Sequence, residues 1–297
     1  MNIVLKNVLG CALALCLLAL TACNNAATDT DDAVAQHAGS PAIWHVRSAE
    51  GHEAWLFGTI HALPDNIRWR SSTLEAALLA SGLMVVEIDN LADSAAARRA
   101  LQDRAYTASL PPLSQRIAAT DREPLRAIYS ATGLSDRDLA GVEDWAAALM
   151  IANARRTNQT DNGVDKALLD GSRPVHGLEG FERQFDRFDR LSPADQAALL
   201  SSVISEPDDP EKTELVSAWI KGDMNALESQ SNSGFLTVPG LRQALLVDRN
   251  HDWATQIDGL IRQDQRPFVA VGAAHMLGPD GLPALLAARG YTVSRLQ

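Results

Sequence analysis

Residues 266–293 read RPFVAVGAAHMLGPDGLPALLAARGYTV, and this stretch decides the fold class of the chain. Its apolar start, FVAV, predicts a strand that is buried on both faces of a sheet. The glycines and proline that follow predict a turn with Asp280 as helix cap, and the alanine- and leucine-rich run predicts a helix that ends at Gly290. A strand, a turn, a helix and a second strand in this order make half of a parallel α/β unit.

A second predicted strand also ends in Gly-x-x-His. Residues 53–64 read EAWLFGTIHALP, so Gly58 and His61 follow this strand as the corresponding pair does at 272–275. The run AIWHVRS at 42–48 lies just before it, and the short AEGHE segment between the two predicts a β-hairpin. Three further runs predict strands: GLMVVEID at 82–89, RPVHGLEG at 173–180 and GYTVSRL at 290–296.

The middle of the chain is predicted to be helical. Ser192 and Pro193 are typical of a helix N-cap and a first-turn proline, and the apolar run ADQAALLSSVI follows them. Long amphipathic helices are expected over 142–156 and 240–263. The expected fold class is therefore a mixed α/β domain with a central, largely parallel sheet and a helical middle region.

Composition and missing motifs exclude several classes of function. The net charge is −11 with scattered basic residues, whereas nucleic-acid binding needs a basic footprint, so we expect no nucleic-acid partner. The three cysteines all lie at or before residue 23, which excludes a cysteine protease or a zinc ribbon in the domain that follows. The sequence has no G-x-S-x-G elbow and no glycine-rich phosphate loop, which argues against serine hydrolases and nucleotide-binding proteins.

The first 23 residues are typical of a bacterial lipoprotein. Lys6 precedes a short apolar run that ends in Leu-Thr-Ala-Cys, which looks like a lipobox with Cys23 as the lipidated residue. Residues 1–22 are then a signal peptide, and the lipid anchor makes the membrane a partner. Asn24 favours the periplasmic side of the outer membrane over the cell membrane. An ordinary signal peptide or an uncleaved anchor is the alternative interpretation.

Residues 23–40 are polar and lack an apolar face, so we expect a flexible tether there. The remaining stretch, 41–297, has no second low-complexity break and no solenoid repeat. Its apolar content suffices for one large core, so one domain is expected.

Four residues of ligand type follow four predicted strands, namely His61, Glu87, Glu179 and His275. Ligands of open α/β sheets bind outside the carboxyl ends of the strands, so a site at that edge would use these side chains. A histidine after a strand is often structural, and Glu87 could equally reach solvent at its strand end. The pattern alone leaves both alternatives open.

Arg249 is predicted to face the protein interior. It lies four residues after Leu245 and four before Trp253, which places it on the apolar stripe of the predicted helix. A buried guanidinium needs an anion, either a carboxylate of the site or a group of the substrate. The alternative is a surface ion pair at the margin of the stripe.

The chain resembles the TraB/GumN family, which includes the extracellular Tiki proteases. The resemblance spans 42–297 and rests on five segments in order: LFGTIHALP, LMVVEID, GVDKALLDGSRPVHGLEGFERQ, LLVDRNHDWATQI and FVAVGAAHMLGPDGLPALLAARGYTVSRL. Family members usually have lysine at Arg173 and threonine at Gly180. The resemblance implies a fold of the erythromycin esterase/ChaN-like type and metal-dependent hydrolysis with His61, Glu87 and His275. Glu179 and Arg249 also match family-typical positions.

These observations predict a lipid-anchored metal-dependent hydrolase, with a peptide or protein outside the cytoplasm as substrate. Imidazole and carboxylate ligands without sulfur suit Zn, Mn or Co, with His61, Glu87, Glu179 and His275 as the expected ligands. Glu87 and Arg249 are the expected catalytic residues. The alternative is a non-enzymatic lipoprotein that binds haem, iron or a peptide with the same histidines.

Overall fold

The computed structural model describes residues 39–60, 63, 67–91, 93–155, 163–169, 171, 173–206, 211–231 and 234–297. The expected signal peptide, Cys23 and all but the last two residues of the expected tether lie outside these ranges. Within the described ranges, no helix is both long and apolar enough to cross a membrane.

A six-stranded sheet forms the centre of the fold, in the order β4-β3-β5-β2-β1-β6. The strands β2, β3, β4 and β5 are parallel to their neighbours in this group, whereas β1 is antiparallel to both β2 and β6. The expected mixed α/β fold with a largely parallel sheet is confirmed. The strands are β1 (Ile43–Arg47), β2 (Glu53–Thr59), β3 (Leu83–Val86), β4 (Val175–Gly177), β5 (Pro267–Gly272) and β6 (Thr292–Arg295).

Helices surround the sheet and fill the middle of the chain, as the sequence predicts. The first group is α1 (Ser72–Ala80), α2 (Ser94–Gln102), α3 (Leu113–Arg116), α4 (Arg122–Thr132), α5 (Asp144–Arg155), α6 (Val164–Leu168) and α7 (Phe181–Asp189). The second group is α8 (Pro193–Ser205), α9 (Glu211–Lys221), α10 (Met224–Ser231), α11 (Pro239–Arg242), α12 (Asp248–Arg262) and α13 (Leu282–Ala288).

Local sequence signals explain where α8 begins, but not where α13 begins. The hydroxyl of Ser192 accepts a hydrogen bond from the backbone N–H of Asp195 at 3.1 Å, and Pro193 occupies the first turn of α8, as predicted. Asp280 does not cap α13, which corrects the expectation. Gly281 is the N-cap residue, while the Asp280 carboxylate pairs with Arg242 at 2.9 Å.

The predicted helix over 240–263 is interrupted by one π-helical segment. It begins as α11, continues through the π-helical residues Gln243–Val247 and ends as α12. A π-helical turn holds an extra residue relative to an α-helical turn, so it changes the direction of every side chain that follows. The residues that this turn reorients include Arg249 and Asn250, the second and third residues of α12.

Separate apolar clusters cover the two faces of the sheet and the helical region. Phe57, Trp69 and Trp219 pack on one face, whereas Leu56 and Trp253 pack on the other. The helices between β3 and β5 pack around their own cluster, whose largest members are Trp145, Phe185 and Phe188. Because both faces of β2, β3 and β5 are covered, polar side chains at their carboxyl ends are held in buried surroundings.

Candidate functional site

Glu87 lies at the centre of a buried polar cluster. It comes directly after β3, and its side chain is only 3% exposed. The Oε1 atom accepts a hydrogen bond from the backbone N–H of Gly272 at 3.0 Å, and Oε2 accepts one from Nη2 of Arg249 at 2.7 Å. Glu87 therefore does not reach solvent, and the interpretation as an exposed strand end is excluded.

Glu179 joins the same cluster from the neighbouring strand. Its backbone N–H donates to the carbonyl of Glu87 at 2.9 Å, so the parallel pairing of β3 and β4 extends to the two acidic residues. Its Oε1 atom accepts a hydrogen bond from Nη2 of Arg249. Its Oε2 atom is buried and accepts no hydrogen bond from the described residues, with Nε of Arg187 at 3.5 Å.

Arg249 binds both carboxylates with one nitrogen, Nη2. The residue is fully buried, and its guanidinium carbon lies 4.3 Å from the centre of the Trp253 ring. The other terminal nitrogen, Nη1, donates to the carbonyl of Leu245 at 3.3 Å. Arg249 therefore faces the protein interior, and the anions that it meets in this structure are the carboxylates of Glu87 and Glu179.

His275 completes the described part of the cluster. It lies in the short turn after β5 and is fully buried, with its ring centre 4.4 Å from that of Trp253. Its Nε2 atom lies 3.3 Å from Nη1 of Arg249 and 4.0 Å from Oε1 of Glu87. Burial lowers the pKa of His275 well below its usual value, and the positive charges of Arg249 and Arg187 add to this effect. The imidazole is therefore neutral at pH 7.

Glycines allow the elements of the site to approach each other closely. A Cβ atom on Gly58 would lie 2.9 Å from the Cα atom of Ala273, so the end of β2 packs directly on the residues that follow β5. A Cβ atom on Gly177 would lie 2.9 Å from the backbone nitrogen of Asp89, just after Glu87. Both contacts lie at the carboxyl ends of parallel strands, and a residue with a side chain at either position would force the neighbouring backbone to shift.

His61 lies outside the described residues, so its expected place in the site stays a prediction. The two residues that precede it, Thr59 and Ile60, are held by hydrogen bonds. The hydroxyl of Thr59 donates to the carboxylate of Asp165 at 2.5 Å, and the backbone N–H of Val164 donates to the carbonyl of Ile60 at 3.1 Å. Both side chains of the Thr59–Asp165 pair are buried.

Three residues that contribute to this edge of the sheet received no role from the sequence. Asn250 contacts His275, Arg187 lies beside Glu179, and Asp165 holds the end of β2. Asp165 belongs to a segment that carried the family resemblance, which is a signal that could have identified it. In the sequence Arg187 looks like a surface residue, because the apolar face of its helix, α7, is formed by Phe181, Phe185 and Phe188.

The cluster combines two carboxylates, two guanidiniums and one neutral imidazole. Within the described ranges, no three His, Cys, Asp or Glu side chains are arranged as a group that could hold a metal ion as they stand. The guanidinium of Arg249 lies among Glu87, Glu179 and His275 and contacts all three. These donors are nevertheless of the types that Zn, Mn and Co prefer.

Comparisons with known proteins identify the family of the chain. A family model described as the TraB/PrgY/gumN family matches residues 42–295, which includes every described residue of the cluster. No curated protein and no solved structure matches the chain.

Proposed function

The chain belongs to the TraB/PrgY/gumN family, and from this premise we propose that it is a metal-dependent hydrolase that acts on peptides or proteins. The observation that carries the proposal is the convergence of Glu87, Glu179 and His275 at one edge of the sheet. These three residues come from the ends of three different parallel strands, yet they share one buried guanidinium, that of Arg249. Sites of open α/β sheets lie at this edge.

The donors fit a divalent cation in their chemistry. Glu87 and Glu179 present buried carboxylates, and His275 is a neutral imidazole. Glu87, Glu179 and His275 would hold the ion, with His61 as the fourth ligand expected from the sequence. A bound Zn, Mn or Co ion would supply Lewis acidity for the scissile carbonyl and lower the pKa of a bound water.

The chain itself contributes orientation and a dry environment. Asn250 holds the ring of His275 through Nδ1, and the backbone N–H of Gly272 holds the carboxylate of Glu87. One of the two carboxylates accepts a proton as general base: Glu87 is the assignment from the sequence, and Oε2 of Glu179 is the oxygen without a donor in the described part of the chain. Arg249 stabilises negative charge that develops on the substrate.

Metal analysis tests the site directly. The purified protein is loaded with Zn, Mn or Co in turn, dialysed and measured by inductively coupled plasma mass spectrometry. Glu87→Gln, Glu179→Gln and His275→Gln are each expected to lower the metal content. His251→Ala is the matched control, because His251 is exposed and adjacent to Asn250. Unchanged metal content in all three site variants contradicts the assignment.

Activity is tested by mass spectrometry of cleavage products from a mixture of extracytoplasmic proteins. Cleavage is expected to disappear with a chelator and with Glu87→Gln, and to survive in His251→Ala. If cleavage persists in Glu87→Gln, the activity comes from a contaminant or from another site. The alternative function, non-covalent haem binding, has less support, because Trp253 and Arg249 already pack against the buried His275.

We also propose that the protein is anchored by a lipid on Cys23 and faces the periplasm from the outer membrane. The support is the lipobox-like Leu-Thr-Ala-Cys sequence at 20–23. Cys23→Ser is expected to abolish labelling with palmitate and to move the protein out of the membrane fraction. Cys16→Ser is the matched control and is expected to label normally. Equal labelling of the Cys23→Ser protein contradicts the proposal.

A further inference from the structure

The guanidinium of Arg249 occupies the position that the proposed metal ion needs. Its Nη2 nitrogen is hydrogen-bonded to Oε2 of Glu87 at 2.7 Å and to Oε1 of Glu179, and Nη1 lies 3.3 Å from Nε2 of His275. A metal ion bound by the same donors would lie about 2.0–2.2 Å from each of them. A guanidinium and an ion cannot both contact these three atoms.

The charge balance of the cluster also argues against simultaneous binding of the ion and both guanidiniums. In the described cluster the two carboxylates are balanced by the guanidiniums of Arg249 and Arg187. A divalent ion added to this arrangement would leave two uncompensated positive charges in surroundings that exclude water. Such an excess is strongly unfavourable at low dielectric, and departure of one guanidinium from the cluster reduces it.

The two arginines differ in how they are held. Arg187 approaches Glu179 from the protein surface, with its side chain 16% exposed, and its Nη2 atom is tied to Asp252 at 2.5 Å. Arg183 binds the same carboxylate of Asp252 at 3.0 Å. Arg187 therefore has an anion of its own outside the cluster, whereas Arg249 forms ion pairs with Glu87 and Glu179 inside it. Arg249 is the guanidinium whose anionic partners the metal would take.

We propose that Arg249 and the divalent cation are alternative occupants of one position, so that the ion exchanges with the guanidinium when it binds. The exchange frees the positive charge of Arg249 to face the developing negative charge of a substrate, which it cannot do while it binds both carboxylates. Arg187 stays beside Glu179 throughout. This inference rests on the metal site of the proposed function and states how that site is loaded.

Cobalt affinity of the full chain tests the exchange. Co²⁺ is the probe, and its binding is followed by the d–d absorption of the ion and by isothermal titration calorimetry. Arg249→Met removes the competing charge and keeps an apolar chain of similar length beside Trp253. It is expected to bind Co²⁺ at least tenfold more tightly than the wild type. Arg183→Gln is the matched control: it alters the Asp252 pair without touching Glu87 or Glu179, and its affinity is expected to stay within twofold.

Each other outcome has a definite meaning. If the wild type binds Co²⁺ and folded Arg249→Met binds it equally or more weakly, the exchange is wrong while the metal site of the proposed function stands. If neither binds Co²⁺, the metal site itself fails and the exchange fails with it.

A second measurement does not depend on the folding of a variant. In a crystal structure of the wild type with Co²⁺ at the cluster, Nη2 of Arg249 is expected beyond hydrogen-bond distance from both Glu87 and Glu179. A bound ion at these residues with both hydrogen bonds of Arg249 intact would overturn the inference.

Discussion

The side-chain oxygen of Asn250 lies 2.6 Å from Nδ1 of His275, and this contact determines which ring nitrogen carries the proton. The amide nitrogen of Asn250 donates to the backbone carbonyl of Asp280 at 2.7 Å, which fixes the orientation of the amide. An amide oxygen can only accept, so Nδ1 of His275 must be the protonated nitrogen. Its Nε2 lone pair then faces Arg249 and Glu87.

We therefore expect His275 to be a neutral Nδ1–H tautomer in the metal-free protein at pH 7. The measurement is a long-range ¹H–¹⁵N correlation spectrum of protein with ¹⁵N-labelled histidine, assigned with His275→Gln. Asn250→Ala removes the acceptor and is expected to let the Nε2–H tautomer appear. A wild-type spectrum with the proton on Nε2 contradicts the proposed orientation of the ring.

Two chemically identical substitutions, at Gly58 and at Gly259, are predicted to have opposite effects on stability. Gly58→Ala places a Cβ atom 2.9 Å from the backbone of Ala273 and is expected to destabilise the fold by about 1–3 kcal/mol. Gly259→Ala lies within α12, where an added Cβ meets nothing within 4 Å. It is expected to stabilise the fold by roughly 0.5–1 kcal/mol, because alanine favours the helix. Urea denaturation measures both, and equal effects would contradict the packing argument.

Apolar runs in the sequence predict the sheet and the edge at which the site forms. Buried strands leave a strong one-dimensional signal, and parallel strands necessarily bring Glu87, Glu179 and the residues after Gly272 to the same edge. The inward direction of Arg249 is also predictable, because it repeats at the spacing of the apolar stripe. These features depend on local periodicity, which is why the sequence reveals them.

Other features of the site depend on distant contacts that no local pattern encodes. The orientation of Asn250 is set by the backbone of Asp280, thirty residues away in the sequence. The position of Arg187 depends on Asp252 of α12, which binds it from outside the cluster. The π-helical turn before Arg249 interrupts a run that has helical periodicity throughout, so the sequence predicts one continuous helix there.

Tyr291 predicts a loss of stability in alkali. Burial raises its pKa to about 12, and the hydrogen bond from its hydroxyl to Asp258, 2.6 Å long, adds to the shift. In an unfolded chain the pKa of tyrosine is about 10. Because the pKa of Tyr291 is higher in the folded protein, its neutral hydroxyl contributes fully to stability below pH 10. This contribution is lost as the pH rises from about 10 to about 12.

The variant Tyr291→Phe isolates this contribution. It lacks the hydroxyl, so it is expected to be less stable than the wild type by about 1 kcal/mol at pH 8, the usual value of one hydrogen bond. Urea midpoints of both proteins are measured between pH 8 and pH 11.5, where their difference is expected to shrink as Tyr291 ionises in the wild type. A difference that stays constant over this range contradicts the assignment.

The buried ion pairs of Arg249 predict a large and non-additive effect on stability. In Glu87→Gln the backbone N–H of Gly272 still finds an oxygen, which turns the new amide nitrogen toward Nη2 of Arg249. Two donors then face each other at a distance that suits a hydrogen bond. Removal of one partner of a buried ion pair typically costs about 3–5 kcal/mol, so we expect Glu87→Gln to lose this amount in metal-free protein.

Glu123→Gln is the control for this effect, because its pair with Arg126 is exposed on the surface of α4 and should contribute less than about 1 kcal/mol. The double variant Glu87→Gln/Arg249→Met removes the opposed donors together. It is therefore expected to be more stable than the sum of the two single losses predicts. Urea denaturation in the presence of a chelator gives all the free energies of unfolding. Strict additivity would mean that Glu87 and Arg249 stabilise the fold independently, although their side chains are only 2.7 Å apart.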